Sequence, residues 1–430
     1  PFVKDEWGPK IYEYMERIKE LFDPNNLLNP NVLISSDPEL HLKNFKPLPS
    51  VHDEVDACME CGFCERVCPS KDLSLTPRQR IAALREMEIQ GDASKLEEQF
   101  RYKGDETCAT DGMCSTVCPV QIDTGKMIKK LRKKKRSDGA KFIASLISKN
   151  QALFESASRI GLSVYHFLLK LEINPLPLLP GKLPKPAKRT YLTNSPKSDK
   201  KVVYYKSCMQ RIFSEDSEAH TSLDLSLESL AIKAGYELLT LNKPGNCCGL
   251  PYSSKGFEDV ATNSQKSVRS QLLELSENGK WPIIVDNSPC TQQLNDDETS
   301  SLKIIDSVEW LEKDVLPHLN IIKKESTLYL HESCSSKKMK LDHHFKKLGE
   351  ALTDHLISSK SISCCGFAGD KGIHQPELNA SALSSLKETM GENCEQGISN
   401  SRTCEIGLSW HSDKSFVHIA QKLDQNSSSK

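Results

Sequence analysis

Residues 58–69 read CMECGFCERVCP and residues 108–119 read CATDGMCSTVCP. In the first stretch Cys58, Cys61, Cys64 and Cys68 are separated by two, two and three residues and closed by Pro69. A run of this kind ligates an iron–sulfur cluster with three thiolates and lends its fourth to a neighbouring cluster. The second stretch repeats the pattern at Cys108, Cys114 and Cys118, with Asp111 where another cysteine would stand. Exchange of the fourth ligand therefore predicts one site from Cys58, Cys61, Cys64 and Cys118 and another from Cys68, Cys108, Asp111 and Cys114. The all-thiolate site is expected to hold 4Fe-4S. A carboxylate is a harder donor than a thiolate, so the other is expected to hold 4Fe-4S with Asp111 or water as ligand, or 3Fe-4S after losing one iron. Structural zinc, which takes tetrahedral sets of four, is a poorer account of seven cysteines in two proline-closed runs.

About forty residues separate the two runs. They include TPRQRIAALREMEIQG, a helix opened by Thr76 and Pro77 and closed near Gly91. A compact βαβ ferredoxin has no room for such an insertion, so an α-helical ferredoxin domain is expected over residues 56–140. Upstream, residues 35–55 read as a proline-rich linker. Before it, Ile11, Met15, Ile18 and Phe22 recur near helical spacing, and Asp23-Pro24 stops the helix. Downstream, KMIKKLRKKKR places Lys129, Lys130 and Arg132 to Arg136 on a helix, read as a solvated face, with contact to an anionic membrane surface as the functional alternative. Residues 141–180 form an apolar helical connector expected to pack on a neighbouring domain rather than lie in a lipid interface. Residues 181–200 are a basic, proline-rich linker.

The remainder is a duplication. KVVYYKSC at 201–208 matches STLYLHESC at 326–334, NCCGLP at 246–251 matches SCCGFA at 363–368, and DNSPC ending at Cys290 matches SNSRTC ending at Cys404. Strand, helix, Cys-Cys-Gly, helix, strand, cysteine, twice over, predicts two similar α/β units, 201–318 and 319–430, facing each other. Their donors would be Cys208, Cys247, Cys248 and Cys290 in one and Cys334, Cys364, Cys365 and Cys404 in the other. Adjacent cysteines do not readily bridge each other within ordinary disulfide geometry, but they can present two thiolates to one metal centre. Gly249 and Gly366 would let the backbone turn close to it. Iron–sulfur is expected at both centres, with zinc as the alternative for four thiolates. His331, three residues before Cys334, is read as a hydrogen-bonded structural histidine, with tuning or ligation of a cluster as the sharper alternative. Lys371 and His374 lie on a loop leading into a helix or approach a cluster or acceptor; Cys394 reads as a plain cysteine. The fold class expected for the whole is α+β multidomain, an α-helical ferredoxin domain followed by a duplicated α/β domain.

A length of 430 residues implies two or three domains. The net charge of -1 gives no reason to expect nucleic acid as a partner. Sixteen cysteines in metal-type spacing, rather than scattered in a short secreted chain, point to a reducing, cytoplasmic setting. No run of eighteen apolar residues occurs, so no membrane span is expected. The start at Pro1 without methionine reads as a piece of a longer protein. Nucleophile elbow, phosphate loop and dinucleotide fingerprint are all missing, so no catalytic residue is expected in this fragment and its work reads as electron transport.

Three segments also carry a resemblance. The helix followed by DPNNLLNPNVLI, residues 1–34, resembles the tail of the C-terminal domain of FAD-linked oxidases of the D-lactate dehydrogenase type. The two Cys-Cys-Gly units resemble the CCG domain shared by heterodisulfide reductases, the iron–sulfur subunits of glycolate and glycerol-3-phosphate dehydrogenases, and lactate-utilisation proteins. That family often closes each unit with CxxC and builds a noncubane cluster from five cysteines. Here Asn287 and Ser401 occupy the first position of that element, which argues against the noncubane form and against disulfide reduction. The order of segments resembles fused FAD-linked D-2-hydroxyacid dehydrogenases. The resemblance implies FAD in an upstream part, D-lactate as substrate with D-2-hydroxyglutarate as the rival, and a quinone or cytochrome as acceptor. A heterodisulfide reductase-like thiol enzyme and a zinc-stabilised interaction module are the readings from other classes.

Overall fold

The computed structural model describes residues 2–43, 45–172, 183–188, 190, 192, 195–214, 221–241, 244–296 and 302–430. The end of the expected connector, 173–180, and part of the linker after it lie outside these. The chain forms two compact units, Pro1–Ser50 and Val51–Lys430.

In the first unit, helix α1 (Pro9–Phe22) stops where the sequence requires. The Asp23 carboxylate accepts the backbone N–H groups of Leu27 and Leu28, both at 2.8 Å, and pairs with Lys19, closing the DPNNLL turn on a side chain. The apolar stripe Ile11, Ile18 and Phe22 is exposed.

The second unit begins with helices: α2 (Pro77–Ile89), α3 (Met113–Val117), α4 (Thr124–Lys135), α5 (Asp138–Lys149) and α6 (Gln151–Lys170). Thr76 and Gln79 form a reciprocal capping box at the start of α2, and Asp123 caps α4 through the Gly125 N–H at 2.8 Å. No described residue between Val51 and Lys170 is in a strand. Val55, Ile81, Phe100, Ile122, Met127 and Ile128 make the core of this part.

Two four-stranded parallel sheets follow with the same topology. Strands β1 (Lys201–Tyr205), β2 (Glu237–Leu241), β3 (Ile283–Val285) and β4 (Ile304–Asp306) lie in the order β2-β1-β3-β4. After β5 (Leu319–Ile321) come β6 (Leu328–Leu330), β7 (Leu356–Ser358), β8 (Gln396–Ser399) and β9 (Ser415–His418), ordered β7-β6-β8-β9. A final strand, β10 (Ser427–Ser429), pairs antiparallel with β5. The strands read as unbroken apolar runs because parallel sheets are covered on both faces. Period-two alternation then divides the side chains. Val202, Tyr204, Ile284, Leu328, Leu330, Ile398 and Val417 meet in one core shared by both sheets. Val203, Tyr205, Ile283 and Val285 face an outer core with Val268 and Leu272, while Tyr329 and Phe416 face a second outer core that contains Cys394. Each unit thus buries the inner face of the other. Asn400, at the end of β8, donates to Asp306 at the end of β4 (3.2 Å), stitching the two units across their junction.

The basic run departs from a plain solvated face. Arg132 follows Ile128 by one helical turn and is buried. It donates to Asp105 (2.7 Å) and to the carbonyl of Ser254 (2.6 Å), while Lys133 pairs with Glu258 (2.6 Å) and Arg136 donates to the Lys255 carbonyl (2.8 Å). Lys134 and Lys135 remain exposed. Part of the run therefore docks the helical part onto the first sheet unit. Helices α5 and α6 lie against the same unit through Ala144, Gln151 and Glu155, leaving Phe142, Leu153 and Phe167 exposed.

Candidate iron–sulfur sites

Cys58, Cys61, Cys64 and Cys118 line one cavity with Gly62, Ile81 and Ile122. The loop carrying the first three is held from beneath by Arg85 of α2, which donates to the Cys58 carbonyl (3.1 Å) and pairs with Glu60 (3.0 Å) while itself buried. Burial pushes the Cys64 thiol up to about 11, so a bound cation is what would hold it as thiolate.

Cys68, Cys108, Asp111 and Cys114 line a second cavity, which shares Pro77 and Thr124 with the first. The Cys114 sulfur lies 3.3 Å from the Thr124 hydroxyl. Arg80 is fully buried here and donates to the Gly104 carbonyl (2.7 Å), Ser70 (2.9 Å) and the Cys68 sulfur (3.6 Å). Burial opposes its charge, but the neighbouring sulfurs of Cys108 and Cys68 more than compensate and keep it protonated. Asp111 accepts the Met113 N–H (3.2 Å) and neighbours Cys364 of the second sheet unit, and burial raises its carboxyl pKa. It therefore lies on the boundary between two thiol sites. The short helix Cys334–Lys338 packs against α3 at this boundary.

In each sheet unit the cysteines gather beyond the carboxyl ends of the strands. Cys208 follows β1, Cys247 and Cys248 follow β2, and Cys290 follows β3; Cys334, Cys364 with Cys365, and Cys404 repeat this after β6, β7 and β8. Because the strand order reverses between β1 and β3, and between β6 and β8, each set occupies a topological switch point, where the strand ends diverge and leave a crevice. Ser207 and Ser333 cap the short helices that begin at Cys208 and Cys334. The Cys248 and Cys290 sulfurs are 3.2 Å apart, those of Cys365 and Cys404 are 3.0 Å apart, and Cys208 neighbours Cys247 as Cys334 neighbours Cys364. The Gly249 N–H points to the Cys247 sulfur at 3.5 Å and the Gly366 N–H to the Cys364 sulfur at 3.4 Å. Both glycines have positive φ and press on the next helix: a Cβ on Gly249 would stand 2.4 Å from the Ala261 carbonyl oxygen. All sixteen cysteines are free thiols, and buried sulfurs crowded this closely form a soft donor set suited to iron–sulfur.

His331, directly after β6, is buried, and burial lowers its pKa to about 3, leaving a neutral imidazole. Its Nε2 has no hydrogen-bond partner among the described residues, although its backbone is hydrogen-bonded on both sides. Lys371 is a fastener, donating to the Glu106 carbonyl and to Gln375, and His374 is exposed. Cys394 is buried and donates to the Gln396 carbonyl (3.4 Å). Sequence reasoning passed over Arg80 and Arg85. A signal for the latter was present: Arg85 stands one helical turn after Ile81 on the buried side of α2.

Comparison with known proteins agrees with this chemistry. Residues 54–122 match the 4Fe-4S dicluster domain, residues 202–295 and 328–409 match the cysteine-rich domain, and residues 1–33 match the C-terminal domain of FAD linked oxidases. The chain is similar to the glycolate oxidase iron-sulfur subunit of Escherichia coli (strain K12), with 25% identity over 355 residues, 75% of this chain and 81% of that protein. Donor sets, domain matches and this likeness together make the chain an iron–sulfur electron-transfer protein associated with an FAD-linked oxidase.

Proposed function

We propose that the chain is the relay of an FAD-dependent D-2-hydroxyacid dehydrogenase that takes electrons from the oxidation of D-lactate to a quinone or cytochrome. The observation that carries this is the continuity of donor sets. The first ferredoxin cavity shares walls with the second, and Asp111 of the second neighbours Cys364 of the CCG unit. When bound, iron–sulfur clusters would supply one-electron carriers at these positions. The residues then have distinct roles. The thiolates of Cys58, Cys61, Cys64 and Cys118, and of Cys68, Cys108 and Cys114 with Asp111, hold the ferredoxin clusters. Cys208, Cys247, Cys248 and Cys290, and Cys334, Cys364, Cys365 and Cys404, hold the CCG centres. Arg80, buried and kept protonated beside Cys68 and Cys108, would favour the reduced state of the second ferredoxin site.

The substrate class rests on the match of residues 1–33 to FAD linked oxidases and on the relative, whose named substrate, glycolate, is also a 2-hydroxy acid. A reducing, cytoplasmic setting belongs to the same reading, given sixteen free thiols; exposed Lys134 and Lys135 would add a peripheral contact with an anionic membrane surface. Among the described residues no helix is long and apolar enough to cross a membrane. The test is turnover of the full-length protein, purified anaerobically, on D-lactate, D-2-hydroxyglutarate and glycolate with a quinone analogue, alongside iron analysis and electron paramagnetic resonance. D-lactate turnover that reduces the clusters is expected. Activity confined to another acid would overturn the substrate assignment, and zinc without iron would overturn the relay.

A further inference from the structure

The two CCG units are alike in strand order and cysteine placement but differ in one residue beside the donors. Three residues before the first cysteine, one unit has Tyr205 and the other His331. Tyr205 is satisfied: its hydroxyl donates to the Asn246 carbonyl at 3.1 Å. His331 is fixed by its backbone, with its N–H donating to the Ile398 carbonyl (2.9 Å) and its carbonyl accepting from Ser399 (2.9 Å). Its side chain is 2% exposed, and Nε2 has no hydrogen-bond partner among the described residues. An imidazole nitrogen of His331 and the sulfurs of Cys365 and Cys404 all lie within 4.8 Å of one another. A buried polar atom is normally paired, so an imidazole this close to two thiols at a sheet switch point, with Nε2 unpartnered among the described residues, calls for a further partner such as a bound metal.

We infer that His331 is a ligand of the second CCG centre, so that this centre is bound by nitrogen and sulfur while the first is bound by thiolates alone. This rests on reading the unit as an iron–sulfur site. The chemistry is balanced without a further reagent: a neutral imidazole donates a lone pair to a metal, and no proton or electron is exchanged. A neutral imidazole adds no negative charge where a thiolate would, and histidine in place of cysteine on an iron–sulfur centre raises its potential. The two CCG centres would therefore differ in potential despite their common fold, with the histidine-bound one, adjacent to Asp111, the more oxidising. Electrons arriving from the ferredoxin side would meet the better acceptor first.

The test is pulsed electron paramagnetic resonance on the full chain, anaerobically purified, with natural-abundance histidine and with 15N-histidine. Nitrogen couplings of directly bound strength that change to 15N on labelling are expected, and they should vanish in His331→Tyr, which installs the residue of the first unit. A redox titration of His331→Cys should show one centre moved to lower potential and the others unmoved. Labelling of the unaltered chain reads the ligation even where His331→Tyr does not fold. No 15N-sensitive coupling, or one that persists in His331→Tyr, overturns the inference. Iron and sulfide measured on the same sample separate the causes. A full complement of clusters without the coupling defeats only the histidine ligand, whereas missing iron in the CCG units defeats the relay reading beneath it.

Discussion

Substituting Arg80 by glutamine should lower the midpoint potential of one ferredoxin cluster and leave the other nearly unchanged. The guanidinium lies 3.6 Å from the Cys68 sulfur and is wholly buried beside the Cys68, Cys108, Asp111 and Cys114 set. Adding an electron to a cluster adds a negative charge, which a fixed cation nearby favours. With an effective dielectric of about 20 and a charge separation of roughly 6 Å, one unit charge is worth about 3 kcal/mol. A tenfold change in a one-electron equilibrium corresponds to about 59 mV, so the shift expected is on the order of 100 mV downward. The first cluster, on the far side of Pro77, should move by a small fraction of this. Arg80→Lys separates charge from hydrogen bonding: it keeps the cation but not the fork that binds Gly104 and Ser70. Its potential should stay near that of the parent even if its melting point falls. The assay is a redox titration followed by electron paramagnetic resonance, with iron content verified for each variant. An unshifted potential in Arg80→Gln with both clusters intact, or equal shifts at both, would refute the reasoning.

Three stability predictions come from the same geometry. Gly249→Ala should cost about 3 kcal/mol, combining a left-handed backbone with overpacking against Ala261, whereas Gly235→Ala, also at positive φ but with nothing within 4 Å of its Cβ, should cost about 1 to 2 kcal/mol; equal losses in thermal melting would contradict the packing argument. Arg132→Ala leaves Asp105 with only Lys135 at 3.9 Å and breaks the contact to Ser254, so a loss of about 3 kcal/mol and faster proteolysis after α4 are expected, and an unchanged melting curve would show that the ion pair does not hold the parts together. Asp306 is buried at the junction of the two sheets, and burial raises its pKa to about 6. The folded state then holds a proton that the unfolded state has released, so this residue's contribution is most favourable below about pH 4 and is lost as the pH rises through 6, in total roughly 3 kcal/mol. Calorimetry between pH 5 and 7.5 should give a shallower pH slope for Asp306→Asn than for the parent; parallel slopes would assign the proton elsewhere.

Much of the candidate site can be read without coordinates because cluster ligands come in short runs. Two or three intervening residues suffice to bring one thiolate after another around a metal, so the spacing at 58–69 and 108–119 already groups the donors, and the two cavities gather the same sets. The duplication is legible for a related reason: strands buried on both faces leave uninterrupted runs such as VVYY and IIV, and the cysteines mark their ends. What local pattern cannot carry is the identity of a neighbour distant in sequence. KMIKKLRKKKR looks solvated in one dimension, yet the helical period turns Arg132 inward onto Ser254, far along the chain. Asp111 looks like a substitute ligand for one cluster, and only the packing of α3 against the helix at Cys334 brings Cys364 to it.

His331 shows the division most sharply. The sequence alone determined four groups of metal-type donors, two of them in runs of iron–sulfur spacing, since ligand spacing is a local property. Tertiary structure decided which of those places are neighbours, which arginines are buried beside them, and that one of two matching units sets an imidazole within 4.8 Å of two of its cysteines. Those outcomes depend on the register of β6 against β8 and on helices from separate segments closing over each crevice, where burial and long-range contact, rather than residue type, set the chemistry.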